Sequence, residues 1–257
     1  MGVKQHIKER GFTLIELMIA MMLGLIVIGG ALSIYISTVA SSSNTIKSSR
    51  LNYDLESAMS LMMNDIKRAG YWGGAADGEA GFNPFTEGAV SDITILDVGE
   101  CILYSYDAND NEAVDANEFY GFKFEDGSIK IRSTGTVTND CSDGAWENFI
   151  DESALTITSV QFSFEPIDDD LGVPDELANG NSRCWNQTQK ESDDVVADIC
   201  TNVTNAANGD YIIQNRMVNI KLSGVVTSDA TVVKNLSGTV EVRNNRICVR
   251  DAANTCP

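Results

Sequence analysis

From Phe12 to Ile36 the run FTLIELMIAMMLGLIVIGGALSIYI is apolar on every side, with Glu16 as its one charge. At 1.5 Å rise per residue it is about 37 Å long, enough to cross a hydrocarbon core of roughly 30 Å as a tilted helix. The spacing then changes. Apolar positions from Leu51 onward are Leu51, Leu55, Ala58, Met62, Ile66 and Ala69, in steps of three and four that mark one face of an amphipathic helix. Lys47, Arg50, Asp54, Glu56, Asp65 and Lys67 fall on the other faces, and AGYWGG at 69–74 supplies a glycine stop. The pattern predicts one helix from about 12 to about 70, apolar all round in its first half and docked on a domain along its second.

Past residue 74 the period shortens to two. DITIL (92–96), CILYSY (101–106), FYGFKF (119–124), SIKIR (128–132) and LTITSVQFSF (155–164) read as strands. So do YIIQNRMVNIKLSGVV (211–226), TVVKNLSGTVEVRN (231–244) and RICV (246–249). EDG at 125–127 separates two of them as a hairpin turn, and a phase slip between Ile157 and Val160 predicts a bulge or a strand break. Segment 165–210 is acidic, Asn-rich and weakly periodic, and reads as a long excursion held by Cys184 and Cys200. The fold class is α+β, an antiparallel sheet lying on the amphipathic half of the long helix.

Charge narrows the function. The chain carries 18 Lys+Arg against 37 Asp+Glu, a net −19. The first eleven residues hold three basic residues, Lys4, Lys8 and Arg10, and one acid, Glu9, so the rest keeps 15 basic against 36 acidic residues, a net −21. Such a surface repels phosphate backbones, which disfavours direct nucleic-acid binding. The basic leader places the N-terminus in the cytoplasm and the remainder across the membrane. An ordinary secretory signal has a shorter apolar run followed by small residues; here the run is long and Gly11 precedes it.

All six cysteines, Cys101, Cys141, Cys184, Cys200, Cys248 and Cys256, lie beyond the apolar run, and none forms a C-x-x-C pair. That placement points to disulfides in an oxidising compartment. Connectivity is open, and pairing of nearest neighbours (101–141, 184–200, 248–256) is expected because each loop then closes locally.

A short basic leader ending at Gly11, then Phe12, then Glu16 at the fifth position past the glycine, resembles the type IV prepilin signature, here KERGFTLIEL. LMMNDIKRAGYWGG at 61–74, with CILYSYD and VEVRNN further on, is similar to PilW-type minor pilins. The resemblance implies a pilin fold: a leader at 1–11, a transmembrane half-helix at 12–40, an amphipathic half-helix at 41–74 and a disulfide-bearing β-rich head at 75–257. It implies cleavage between Gly11 and Phe12 by a prepilin peptidase, N-methylation of Phe12, and pairing of Glu16 with the Phe12 amine of a neighbouring subunit. A buried polar pair of that kind sets register. Gly24, Gly29 and Gly30 either permit close helix approach, permit local melting, or are ordinary glycines of a membrane helix.

The family role so implied is a minor pilin in a tip complex that primes type IV pilus assembly, and through the pilus in twitching motility, adhesion and DNA uptake. Its partners would be other minor pilins, the major pilin and the inner-membrane assembly platform. It would reside in the inner membrane as a single-pass protein with a periplasmic C-terminal part before joining the extracellular pilus. A minor pseudopilin of a type II secretion system carries the same N-terminal logic. A calcium-dependent surface adhesin on a pilin anchor is a reading of another class.

The calcium element rests on DANDNEAVDANE, residues 107–118. Asp107, Asn109, Asn111, Asp115 and Glu118 fall at positions 1, 3, 5, 9 and 12 of a calcium loop, with the Ala113 carbonyl at position 7. Glu112 stands where the turn wants glycine, and the flanks read as strands. A solvated acidic hairpin loop is the competing reading. DDDLGVPDE (168–176) lacks a ligand register and reads as solvated, and the sequons at Asn186, Asn202 and Asn235 carry no weight outside a eukaryotic secretory pathway. The only histidine, His6, lies in the leader, and no glycine-rich phosphate loop is present, so no enzymatic activity is expected.

Overall fold

The computed structural model describes residues 11–76, 83–86, 88–150, 155–164, 183–188, 191–193 and 207–251. The leader before Gly11, the acidic stretch 168–176, Asn202, Cys200 and Cys256 lie outside the described residues. The chain divides into two compact units, Met1–Lys47 and Ser48–Pro257. Helix α1, Leu14–Ile66, runs through the division.

In the first unit the apolar side chains of α1 are exposed on all sides, from Leu14 and Ile15 through Tyr35, Ile36 and Val39. One 18-residue window of α1 reaches a mean hydropathy of 2.5 with none of it buried, so the helix is long and apolar enough to cross a membrane.

In the second unit α1 turns Leu51, Leu55, Ala58, Met59, Met62 and Ile66 into the core, and Ala69 follows them. The expected stripe is therefore the packed face, with Met59 added to it. The helix ends at Ile66, short of the expected residue 70, because its last turn tightens. Arg68 and Ala69 donate to carbonyls three residues back, at 2.9 and 3.0 Å. Gly70 then takes a left-handed φ of 70° and donates its N–H to the Ser105 carbonyl at 2.8 Å.

A short helix α2, Gly88–Ser91, precedes the strands. Strands β1 (Thr94–Leu96), β2 (Cys101–Ser105), β3 (Phe119–Glu125), β4 (Ser128–Thr134) and β5 (Ala145–Asn148) form an antiparallel meander in chain order. The β3–β4 turn is the expected one, with Asp126 and Gly127 at φ 54° and 75°. β6 (Leu155–Ser163) belongs to a second sheet, and β7 (Arg183–Asn186) and β8 (Glu191–Asp193) to a third. β9 (Tyr211–Asn215) and β12 (Arg246–Val249) complete the third sheet in the order β12-β9-β7-β8. β10 (Met217–Val226) and β11 (Asp229–Glu241) complete the second, in the order β11-β10-β6.

Among the described residues three sheets replace the single sheet expected. The run 211–226, read as one strand, breaks at Arg216, which is buried and ion-paired to Asp92. An arginine cannot be buried without a partner, and Arg216, between β9 and β10, places its side chain on Asp92 and its carbonyl on the Val242 N–H at 2.9 Å. Segment 165–210, read as an excursion, contributes β7 and β8, and AWEN, too polar to read as a strand, becomes β5. The bulge expected between Ile157 and Val160 is present: Ser223 and Gly224 face Ser159 and Ile157, leaving Thr158 unpaired.

The core is made where α1 lies on the second sheet and against the first. Leu55, fully buried, sits over Gly224 of β10, where an added Cβ would come within 3.2 Å of it. Met63 and Met59 likewise occupy the space above Gly238 of β11. Asp65 accepts hydrogen bonds from the hydroxyls of Tyr104 at 2.6 Å and Tyr106 at 3.1 Å, which fixes the helix end to β2. Arg68 lies over the Tyr106 ring at 4.1 Å, and Tyr106 stacks on Tyr120 at 4.1 Å. Cys101 and Cys141 are joined by a disulfide, and Cys184 and Cys248 are disulfide-bonded as well. The expected bonds to Cys200 and Cys256 fall outside the described residues.

Leu55→Ala should lower the unfolding free energy by about 2–5 kcal/mol in urea denaturation, because Gly224 beneath it offers no side chain to collapse into the cavity. A loss below about 1 kcal/mol would show that the helix does not depend on this contact.

Candidate functional site

At the start of α1, Gly11, Phe12 and Thr13 precede the first helical residue, and Phe12 is 84% exposed. Thr13 and Glu16 bond to one another reciprocally. The Glu16 N–H donates to Thr13 Oγ1 at 3.3 Å, and the Thr13 N–H donates to Glu16 Oε2 at 3.4 Å. This is a capping box, in which a threonine at the helix N-cap and a glutamate three residues on satisfy each other's orphan amides. Glu16 lies in the first turn of α1, where the partial positive charge of the helix N-terminus also favours a carboxylate. The charge therefore marks the helix end and does not interrupt the helix middle. Phe12 lies two residues before the first helical residue, and Glu16 lies in the first turn. Thr13 was readable: T-x-x-E ahead of an apolar run is a helix-start signal.

The second grouping of interest is the loop 107–118. Asp107 and Glu118, its two ends, are buried at 2% and 0% exposure. Asp107 Oδ2 accepts from the N–H groups of Gly73 at 3.1 Å and Glu112 at 3.0 Å, and Oδ1 accepts from Asn111 at 3.2 Å. Glu118 accepts from the N–H groups of Ala108 and Asp115, both at 2.9 Å. Asn109 and Asn111 donate their side-chain amides to Asp115 at 3.2 and 2.9 Å. Glu112, at the position where a calcium loop uses glycine, takes φ 66°, and Asp110 takes φ 62°.

The sequence brings Asp107, Asn109, Asn111, Asp115 and Glu118 into one closed loop, and its oxygens face the loop's own amides. The three carboxylates do not converge on a point. Among the described residues one set of three potential ligand atoms lies within 4.8 Å of one another, that of Asp97, Cys101 and Cys141, and the two cysteines there are spent in a disulfide.

Burial alone would raise the Asp107 carboxyl; the N–H groups of Gly73, Glu112, Asp110 and Asn111 outweigh it and hold the group below the usual carboxylate range. Gly73 belongs to the turn that follows α1, so Asp107 ties this loop to the helix end. Tyr71 adds a second tie through its hydroxyl to Asp110 at 3.2 Å, and Trp72 a third to the Glu112 carbonyl at 3.3 Å. These aromatic partners were missed in the sequence, although YWGG directly follows the amphipathic stripe.

Other charged groups are accounted for structurally. Arg132 pairs with Asp143 and donates to the Val137 carbonyl at 2.7 Å. Arg216 and Arg246 share Asp92.

The chain matches the family described as PpdB, prepilin peptidase-dependent protein B, over residues 44–242, and the prokaryotic N-terminal methylation motif over residues 7–32. It is similar to prepilin peptidase-dependent protein B of Escherichia coli (strain K12), with 23% identity over 160 residues, covering 60% of this chain and 78% of that protein. No solved structure matches it.

Because the folded-state pKa of Asp107 is depressed, its stabilisation is present above the unfolded value of about 3.9 and is lost as pH falls through the lower folded value. Asp107→Asn should lower the unfolding free energy by about 2–3 kcal/mol at pH 7 in calcium-free buffer, and should flatten the acid limb of the stability curve below about pH 4. If calcium occupied the loop, added calcium would raise the melting temperature of the unsubstituted protein and not of Asp107→Asn. Full stability of Asp107→Asn without calcium would remove the amide-clamp account.

Proposed function

The chain belongs to the prepilin peptidase-dependent protein B family, and from that premise we propose that it is a PilW-type minor pilin that helps to start assembly of a type IV pilus. The observation that carries the reading is the start of α1. Gly11 and Phe12, where the resemblance implies processing, lie within the matched methylation motif, and Glu16 is held by Thr13 in the first turn of a helix whose following residues are exposed and apolar. Cleavage after Gly11 would free an amine at Phe12, a cation of the kind that Glu16 of an adjacent subunit can pair with once no lipid or water is left around it. The apolar first part of α1 would hold the subunit in the inner membrane, and in a filament would pack against equivalent helices. The head then stands on the far side of the membrane from the leader.

The role is non-catalytic. The subunit acts by docking, and its partners are other pilin-type chains, the inner-membrane assembly platform and the peptidase that trims it. Twitching motility, adhesion and DNA uptake would follow from the pilus as a whole.

Mass spectrometry of the membrane-purified protein should find an N-terminus at methylated Phe12; an intact leader in a strain with active peptidase would overturn the reading. Glu16→Ala should leave membrane insertion unchanged and reduce recovery in sheared filaments by about tenfold, equivalent to roughly 1.4 kcal/mol of lost pairing. Undiminished recovery would remove the pairing role.

A further inference from the structure

Strand β11 is unusual for an edge. It runs 13 residues, Asp229–Glu241, about 44 Å at strand rise, where a typical strand has about five or six residues. It pairs with β10 along one side, and among the described residues nothing pairs with the other. Natural edges of this length are guarded by proline, by several charges or by a bulge. β11 contains no proline and one lysine, Lys234. The register shift in its pairing sits at Val225/Val226, beside the β10–β11 turn, and leaves residues 233–241 in regular register.

The strand has two faces. Thr231, Val233, Asn235, Ser237, Thr239 and Glu241 are exposed. Val232, Lys234, Leu236, Gly238 and Val240 face inward and are half-buried or buried. On that inward side an open groove of about 340 Å³ runs between α1 and β11, lined by Glu56, Met59, Ser60, Met63, Asn64, Leu236 and Ser237. A strand added beside β11 would place alternate side chains over the same flank of α1, next to Met59 and Met63. Methionines adapt to such side chains better than branched residues do.

We infer that β11 is a docking edge for an extended segment of a neighbouring, less acidic pilin-type subunit, which adds a strand to this sheet and seats alternate apolar side chains in the Met59–Met63 groove. The inference rests on the assembly role above. Charge selects the occupant. Beyond the leader each copy of this chain carries a net −21, so a second copy is repelled. In full-length antiparallel pairing of two β11 strands, Asp229 would also stand opposite Glu241, a destabilising like-charge pair. Glu56 at the groove favours a basic side chain on the incoming segment. Backbone pairing gives such a contact its affinity, and the alternate pockets give it selectivity.

The test places the photo-crosslinker p-benzoylphenylalanine at Ser237 of the full-length chain in its own cells, with Asn208, an exposed turn residue, as the control position. Illumination should give an adduct with a different chain that itself has a methylated N-terminus, with the crosslinked peptide lying in an alternately apolar segment. Its yield should exceed that at Asn208 by about tenfold, and Asn235→Lys with Thr239→Lys should reduce it about tenfold while the melting temperature holds. Adduct with a second copy alone, equal yield at Asn208, no adduct, or indifference to the lysines would each overturn strand addition. The N-terminus separates the two levels: a chain processed at Phe12 that forms no adduct defeats the docking edge alone, and an unprocessed chain defeats the assembly role beneath it.

Discussion

A single helix here serves two surroundings, and the inward face it makes over its final five turns is the constraint on which the folded unit depends. Along 14–39 the side chains of α1 are mostly apolar and exposed, so burial within the chain adds nothing there. Between Leu51 and Ile66 six residues are buried, and the second sheet is shaped to receive them, with glycines at 224 and 238 where Leu55, Met59 and Met63 come closest. Polar contacts then fix the helix end in angle and register. Asp65 takes two tyrosine hydroxyls, Gly70 bonds to Ser105, and Asn244 donates to the carbonyls of Arg68 and Ala69 at 3.3 and 3.1 Å. The last two of these hold the turn that follows the helix.

The helix was legible because its period repeats over several turns, and the stripe Leu51 to Ala69 maps onto the buried face residue for residue. Strands were legible where side chains alternate, and the slip at Thr158 was visible as a phase error. Sheet membership was not. Nothing local to YIIQNRMVNIKL says that Arg216 will turn inward to Asp92, 124 residues away in sequence, and divide the run between two sheets. β5, β7 and β8 were hidden for a related reason: they are short and polar, and their pairing is set by tertiary neighbours, which outweigh intrinsic strand preference.

The candidate site was legible in the same uneven way. Glu16 stands out because a charge inside an apolar run is costly and so conspicuous, and Gly11 and Phe12 stand out through the resemblance to the prepilin signature. Thr13 opens a T-x-x-E helix-start signal, and its part in holding Glu16 is seen in the reciprocal hydrogen bonds. The loop 107–118 shows the reverse. Its spacing suits a cation, and what the structure adds is that Asp107 and Glu118 accept from backbone amides and that the loop is tied to Gly73, Tyr71 and Trp72. Spacing along a chain states which oxygens can meet, and the directions in which they point depend on what else is close enough to bond them.

The third sheet differs from the other two in what fills it. Its buried residues include Asn186, Asp210 and Gln214, and among its strand residues whose burial is described Cys184, Ile212 and Cys248 are the buried apolar ones. Ile212 stands outside the main hydrophobic cluster. So thin an interior contributes little hydrophobic free energy, and the two disulfide-bonded cysteines, on β7 and β12 to either side of β9, take over much of the restraint. Each bond formed at Cys184 or Cys248 is an oxidation, so this restraint is added only where an electron acceptor is at hand.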